Sequence, residues 1–194
     1  MSVKEEKSAL RLQCTKIRNG IATEEKQKRD QKICSLCASL AVFRFAQQVL
    51  LYAPIRSEVD IRALATLAWE QGKEVYFPLV DKNEAGKMTF HRVNDFSLLT
   101  KGSFGVEEPD ADAPLWKDEG KRAVCLIPGL AYGKDGYRLG YGKGYYDRFL
   151  NTFSGTGIGI TYSELILAEI PHNRFDLQAD LLLCEKGVIL TREI

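Results

Sequence analysis

Between Ile127 and Leu150 the chain reads I-P-G-L-A-Y-G-K-D-G-Y-R-L-G-Y-G-K-G-Y-Y-D-R-F-L, and no other stretch limits its folding as tightly. Six of the sixteen glycines stand here, alternating with Arg, Lys and Tyr. The apolar run Ala123–Ile127 just before it predicts a buried strand. Tyr146, Phe149 and Leu150, with Phe153 one turn on, predict a helix over Tyr145–Phe153. A strand, a glycine-rich loop and a helix start make a general phosphate cradle. Free N–H groups and the positive end of the helix dipole face the anion, and glycine lets the backbone come near it. The familiar fingerprints do not fit. G-x-x-x-x-G-K-[ST] fails because Tyr137 stands at its first position and Gly144 at its last; G-x-G-x-x-G fails at Tyr145 when read from Gly140, and at Ile160 when read from Gly155.

The flanking sequence alternates helices and strands. Lys4–Arg18 predicts a helix with Leu10, Cys14 and Ile17 on one face and Lys7 and Arg11, one turn apart, on another; by spacing alone those two cations form a solvated basic face. Asn19-Gly20 closes it, and Thr23 caps a second helix whose stripe is Ile33, Leu36, Cys37, Leu40 and Ala41. Cys34 and Cys37 form a lone C-x-x-C without a second pair or paired histidines, which favours core packing over redox or zinc chemistry. Val49–Ala53 predicts a buried strand ended by Pro54, followed by Glu58, Asp60 and a helix with Ile61, Leu64, Ala65 and Ala68 inward. Val75–Val80, interrupted by Pro78, and a half-exposed Met88–Val93 are the next strands; residues 94–120 read as an exposed connection or flap. Further on come a strand over Gly157–Thr161, a short helix over Ser163–Glu169, a loop over Pro171–Asp176, and strands over Leu181–Cys184 and Val188–Leu190. This order implies an α/β fold, a largely parallel sheet covered on both faces, with ligand at the carboxyl ends of its strands.

Composition sets bounds. At 194 residues and 45% hydrophobic content, one domain over 1–194 is expected, burying roughly 70% of the unfolded chain's surface. The 27 basic and 26 acidic side chains nearly cancel, which argues against a broad nucleic-acid footprint. No apolar run approaches a membrane span, and the start M-S-V-K-E-E-K-S has no secretory core. Five cysteines, mostly inside apolar segments, suit a reducing compartment, so a cytoplasmic chain is expected.

P-G-L-A-Y-(x)4-Y-R-L-G-Y-G-K-G-Y-Y-D-R-F-L resembles the signature of the 5-formyltetrahydrofolate cyclo-ligase (5,10-methenyltetrahydrofolate synthetase) family. K-S-A-L-R at Lys7–Arg11, E-V-D at Glu58–Asp60 and D-L-Q-A-D at Asp176–Asp180 fall in the family's order. Three positions depart from its pattern: Tyr132-Gly133, Phe175 before Asp176, and Cys184. The resemblance implies a three-layer α/β/α sandwich like that of sugar-phosphate isomerases and CoA transferases. It implies conversion of 5-formyltetrahydrofolate and ATP into 5,10-methenyltetrahydrofolate, ADP and phosphate, with Mg²⁺. In that setting Lys7, Arg11, Arg138 and Lys143 surround the triphosphate, Arg138 and Lys143 being catalytic. Leu139, Gly140, Tyr141, Gly142, Gly144, Tyr145 and Tyr146 complete the ATP site, and Asp147 and Asp176 hold the magnesium. Asp180 has a structural part, Glu58 reads the pterin edge, and Tyr141 and Tyr145 wall adenine or folate rings. The expected partners are these two substrates, with no nucleic acid or membrane, and the expected state is a monomer. The alternatives are a non-catalytic folate- or nucleotide-binding relative, and an isomerase, transferase or RNA-binding offshoot of similar fold.

Overall fold

A computed structural model of the chain describes residues 2–81, 83–84, 86–102, 105–120 and 122–191. The helices are Val3–Asn19 (α1), Thr23–Ser39 (α2), Ala41–Arg44 (α3), Arg62–Glu70 (α4) and Tyr145–Leu150 (α5). The strands are Gln48–Leu50 (β1), Glu74–Val80 (β2), Met88–Arg92 (β3), Thr100–Lys101 (β4), Glu107–Glu108 (β5), Ala123–Pro128 (β6), Ala131–Gly133 (β7), Arg138–Leu139 (β8), Thr156–Ile160 (β9), Ile166–Leu167 (β10), Leu181–Cys184 (β11) and Gly187–Leu190 (β12). No helix among the described residues is long and apolar enough to cross a membrane.

Seven strands form the main sheet in the order β12-β11-β9-β6-β1-β2-β3. The five central strands are parallel, and the edge strands β3 and β12 run antiparallel to their neighbours. Winding starts at β1, proceeds through β2 to one edge, then returns to β6 and proceeds to the other. The order therefore reverses between β1 and β6, where the connections leave in opposite directions and open a crevice.

Strand alternation sends side chains to the two faces. Val49, Leu51, Val124, Leu126, Ile158, Ile160, Leu181 and Leu183 meet Cys14 of α1, Ile33 and Cys37 of α2, and Leu64, Ala65 and Ala68 of α4. Leu50, Cys125, Ile127 and Leu182 point the other way, toward Tyr132, Phe90 of β3 and Tyr146 of α5. The three-layer expectation holds, with a thin second helical layer in which Phe149 of α5 is joined by Trp116 and Phe153.

Several boundaries differ from expectation, each for a local reason. In α1 a capping box between Ser2 and Glu5 fixes the start; Ile17 is 44% exposed, whereas Arg18, at 3%, takes the inward position. Ala22, not Thr23, occupies the N-cap of α2, and extended Leu40 ends that helix, so Leu40 and Ala41 leave the stripe. Strand β1 stops at Leu50. Pro78 sits inside β2 without harm there because β1 pairs with β2 only as far as Tyr76. β3 is mostly buried, not half-exposed: its outer edge is covered by 113–116, with the Arg92 N–H donating to Pro114 O at 2.8 Å and the Trp116 N–H to Phe90 O at 2.7 Å. The region 94–120 carries β4 and β5, and its residues 103–104 lie outside the described residues. Helix α5 ends at Leu150 rather than Phe153. Ser163–Leu165 is one 3-10 turn leading into β10, and β10 joins β7 and β8 in a small sheet that the sequence pattern did not announce. All five cysteines are free and buried; burial pushes the Cys34 thiol up to about 12 and raises Cys37 further, as core packing requires.

Leu126 is fully buried at the centre of β6. Leu126→Ala is expected to cost about 2–5 kcal/mol in denaturant unfolding. Leu12→Ala, at a side chain that is 75% exposed, is expected to stay within about 0.5 kcal/mol of wild type.

Candidate functional site

A cavity of about 910 Å³ opens at the carboxyl ends of β1, β2 and β6. Its position follows from the reversal of strand order between β1 and β6. Tyr52, Pro78, Val80, Met88, Val106 and Leu130 supply an apolar wall. Thirteen of the fourteen residues singled out from the sequence line it: Lys7, Arg11, Glu58, Arg138, Gly140, Tyr141, Gly142, Lys143, Gly144, Tyr145, Tyr146, Asp147 and Asp176. Leu139 does not. Its side chain is fully buried in the core, and its carbonyl accepts from the Leu130 N–H at 2.9 Å.

The glycine turn is held from three directions. β8 pairs with β7, Tyr132 opposite Arg138, which fixes the turn's first end. Arg11 Nε donates to Gly140 O at 2.8 Å, anchoring the turn to α1. Arg148 donates to Lys143 O at 3.0 Å and to Gly86 O at 3.2 Å, anchoring its second end. Gly142 has φ +85° and Gly144 φ +71°, a left-handed backbone that a Cβ would strain. The turn therefore needs glycine at these two positions for its own shape, before any ligand is considered.

Two carboxylates face the turn, each already engaged. Asp147 accepts from Arg138 at 2.9 Å and from the Leu177 N–H at 3.4 Å. Asp176 accepts from Lys7 at 2.7 Å and from the Asn173 N–H at 2.7 Å. Both ion pairs are largely shielded from water, which strengthens them relative to surface pairs. Asp147 thus pairs with Arg138, nine residues back across the turn, and not with adjacent Arg148. Among the described residues no three His, Cys, Asp or Glu side chains gather into a metal cluster. Two cavity-lining carboxylates still suit magnesium, which is usually held by one or two carboxylates together with ligand phosphates.

Glu58 is 6% exposed and accepts from the Ile55 N–H at 3.1 Å. Burial raises its pKa above the ordinary value; the Ile55 hydrogen bond and then the charges of Arg18, Arg138 and Arg56 act against that rise. Its carboxylate keeps acceptor capacity for further donors. Tyr141, 40% exposed, stands beside Arg56 with that guanidinium 5.4 Å from its ring centre. Tyr146 is largely core: it meets Phe90 edge-on, and Arg138 lies 5.3 Å from its ring centre. Lys143 is exposed at the rim.

Asp180 lies away from this lining and bonds the Gly157 N–H at 2.7 Å, tying β9 to the segment before β11. His91 is held by Thr89 and the Ala113 carbonyl, and His172 stacks on Tyr137 at 3.6 Å. The sequence reading did not single out Arg18, Tyr52, Asn173, Val106 or Glu108. A signal existed for Arg18 alone: Lys7, Arg11 and Arg18 recur at helical spacing, so the basic face continues for two further turns.

The 5-formyltetrahydrofolate cyclo-ligase family model matches residues 3–185. A probable 5-formyltetrahydrofolate cyclo-ligase of Caenorhabditis elegans is 29% identical over 97% of this chain and 97% of its own length. The Mycoplasma pneumoniae 5-formyltetrahydrofolate cyclo-ligase is 31% identical over 92% of this chain and 98% of its own. The solved structure of the Aquifex aeolicus 5,10-methenyltetrahydrofolate synthetase superposes with a TM-score of 0.84 at 34% identity, covering 97% of this chain and 94% of that one. This chain belongs to the 5-formyltetrahydrofolate cyclo-ligase family.

Because Glu58 has a raised pKa in the folded state, the folded chain holds its proton at pH values where the unfolded chain, near 4.5, has lost it. Glu58 therefore contributes a stability that is complete below about 4.5 and declines as pH rises through the folded-state value. Glu58→Gln removes this slope. Its stability relative to wild type is expected to rise as pH increases above about 4.5 in urea titrations.

Proposed function

We propose that this chain, as a member of that family, is a 5-formyltetrahydrofolate cyclo-ligase that uses ATP and Mg²⁺ to make 5,10-methenyltetrahydrofolate, ADP and phosphate. The observation that carries the reading is convergence. Lys7, Arg11, Arg138 and Lys143, the carboxylates Asp147 and Asp176, and the buried Glu58, drawn from four separate parts of the chain, line one cavity beside an apolar wall.

A formamide carbonyl is a poor electrophile because its nitrogen donates into it. The formyl oxygen attacks the γ-phosphorus of ATP, and ADP leaves. The adjacent folate nitrogen then attacks the activated carbon. The carbon–oxygen bond breaks with phosphate as leaving group, the nitrogen loses its proton, and the methenyl bridge remains. Phosphoryl transfer needs positioning and charge neutralisation more than covalent help. Lys7, Arg11, Arg138 and Lys143 would supply the neutralising charge, and the glycine turn would bring backbone close to the phosphates. Magnesium, held by Asp147 and Asp176 together with the nucleotide, would add charge neutralisation there. Glu58 would hold the pterin edge, with Tyr141 and Tyr145 as stacking walls. We place the enzyme in the cytoplasm, working as a single-domain monomer.

The test is absorbance of the methenyl product with both substrates, against reactions lacking ATP or magnesium; turnover without ATP would overturn the reading. Arg138→Ala, folded by circular dichroism, is expected to lose about 10²–10³ in rate. Asp147→Asn is expected to raise the magnesium concentration needed for half-maximal rate, and an unchanged requirement would remove Asp147 from the ion's ligands.

A further inference from the structure

A buried cation outside the cavity lining connects the loops that form it. Arg18 is 3% exposed, and among the described residues no carboxylate lies within 4.0 Å of it. A buried guanidinium without an ion-pair partner is costly unless hydrogen bonds replace its hydration. Here three of its five N–H donors go to neutral oxygens, one on each of three segments. Nε donates to Ser57 Oγ at 3.1 Å, in the segment after β1 that carries Glu58. Nη1 donates to Gly129 O at 3.3 Å, in the turn after β6. Nη2 donates to the hydroxyl of Tyr141, inside the glycine turn. Ser57 in turn donates to Asn19 Oδ1 at 2.6 Å, so the network closes back on α1.

These are the segments that leave the sheet on either side of the strand-order reversal, together with the turn that faces them. None of the three pairs with another through a main-sheet ladder at these residues. The planar fork of an arginine can hold three acceptors at fixed angles, which a lysine ammonium on a flexible stem does not reproduce. We propose that Arg18 is a positioning residue: its single guanidinium clamps the Glu58 segment, the Gly129 turn and the glycine turn in one relative arrangement, so that the cavity is shaped before substrate arrives.

Tyr141 is the part of this clamp that reaches the cavity. Its hydroxyl is held by Arg18, whose guanidinium carbon also lies 6.0 Å from its ring centre, and Arg56 approaches the ring at 5.4 Å. A ring that is 40% exposed yet fixed through its hydroxyl forms a preset wall. The inference deepens the functional reading above and rests on it only for its kinetic arm.

The experiment is amide hydrogen exchange by mass spectrometry on the ligand-free full chain, for wild type, Arg18→Met, Arg18→Lys, Tyr141→Phe and the Met/Phe double variant. Expected for Arg18→Met is faster exchange in peptides covering 55–58, 129–131 and 140–144, with β1, β6 and β9 still protected, which reports an intact fold. Arg18→Lys is expected to restore protection to no more than one of the three segments. Tyr141→Phe should loosen 140–144 alone, and the double variant should loosen it no further than Arg18→Met does. In turnover, Arg18→Met is expected to lose about tenfold or more in kcat/KM, with the same non-additivity in the double variant. Unchanged exchange in the three segments, full rescue by lysine, or additive effects of the two substitutions would each overturn the clamp. Should Arg18→Met fail to fold, Tyr141→Phe and Arg18→Lys carry the same decision. Absence of ATP-dependent turnover in wild type would overturn the functional reading and leave the clamp to be decided by exchange.

Discussion

α1 presents cations on the face where an amphipathic helix ordinarily presents hydrocarbon, and the cavity depends on their being received. Lys7, Arg11 and Arg18 project from that face to Asp176, to the Gly140 carbonyl and to Tyr141. Each contact joins the first helix to a segment more than a hundred residues away. Removing a charge from water is unfavourable unless hydrogen bonds replace the hydration. The helix can therefore dock only where carbonyls, a hydroxyl and a carboxylate are already arranged to accept. The docked helix and the assembled site rest on the same contacts.

The glycine turn illustrates the same dependence from the other side. Gly142 and Gly144 adopt a left-handed backbone, and the turn's carbonyls at Gly140 and Lys143 point at Arg11 and Arg148. Its shape is thus set by arginines arriving from outside it, not by an internal ladder. The helix that follows is only six residues long, so its dipole contributes less to an anion than the cations lining the cavity do. This shifts the weight of the expected phosphate cradle from the helix start to the side chains.

The two carboxylates sit in ion pairs with the same cations that face the phosphates in the proposed reaction. Arg138 with Asp147, and Lys7 with Asp176, offset two of the cavity's cations. Arrival of polyanion and divalent cation together would exchange these two pairings for new ones. Glu58 is treated differently. It is buried with a backbone donor and three arginines at longer range, so burial outweighs them and raises its pKa. That environment favours a ligand that brings its own donors to the carboxylate.

Much of the molecule was legible in the chain alone, and the reason is local. Short apolar runs located the strands β1, β2, β6, β9 and β11, and period-3.6 patterns the helices α1, α2 and α4, because burial selects apolar residues there wherever the partners are. The glycine alternation marked the turn, because only glycine adopts its backbone freely. Failures came where long-range contact overrode spacing: Ile17 and Arg18 exchanged places on α1 because a polar acceptor set awaits Arg18, and β3 lost its exposed face because 113–116 covers it. The sequence by itself determined which residues could carry the chemistry and the order of the parallel strands' segments along the chain. Only the tertiary structure decided that Asp147 meets Arg138, that Lys7 meets Asp176, and that one buried guanidinium joins three loops. Such pairings are set by distances between segments far apart in the chain, and nothing in local spacing encodes them.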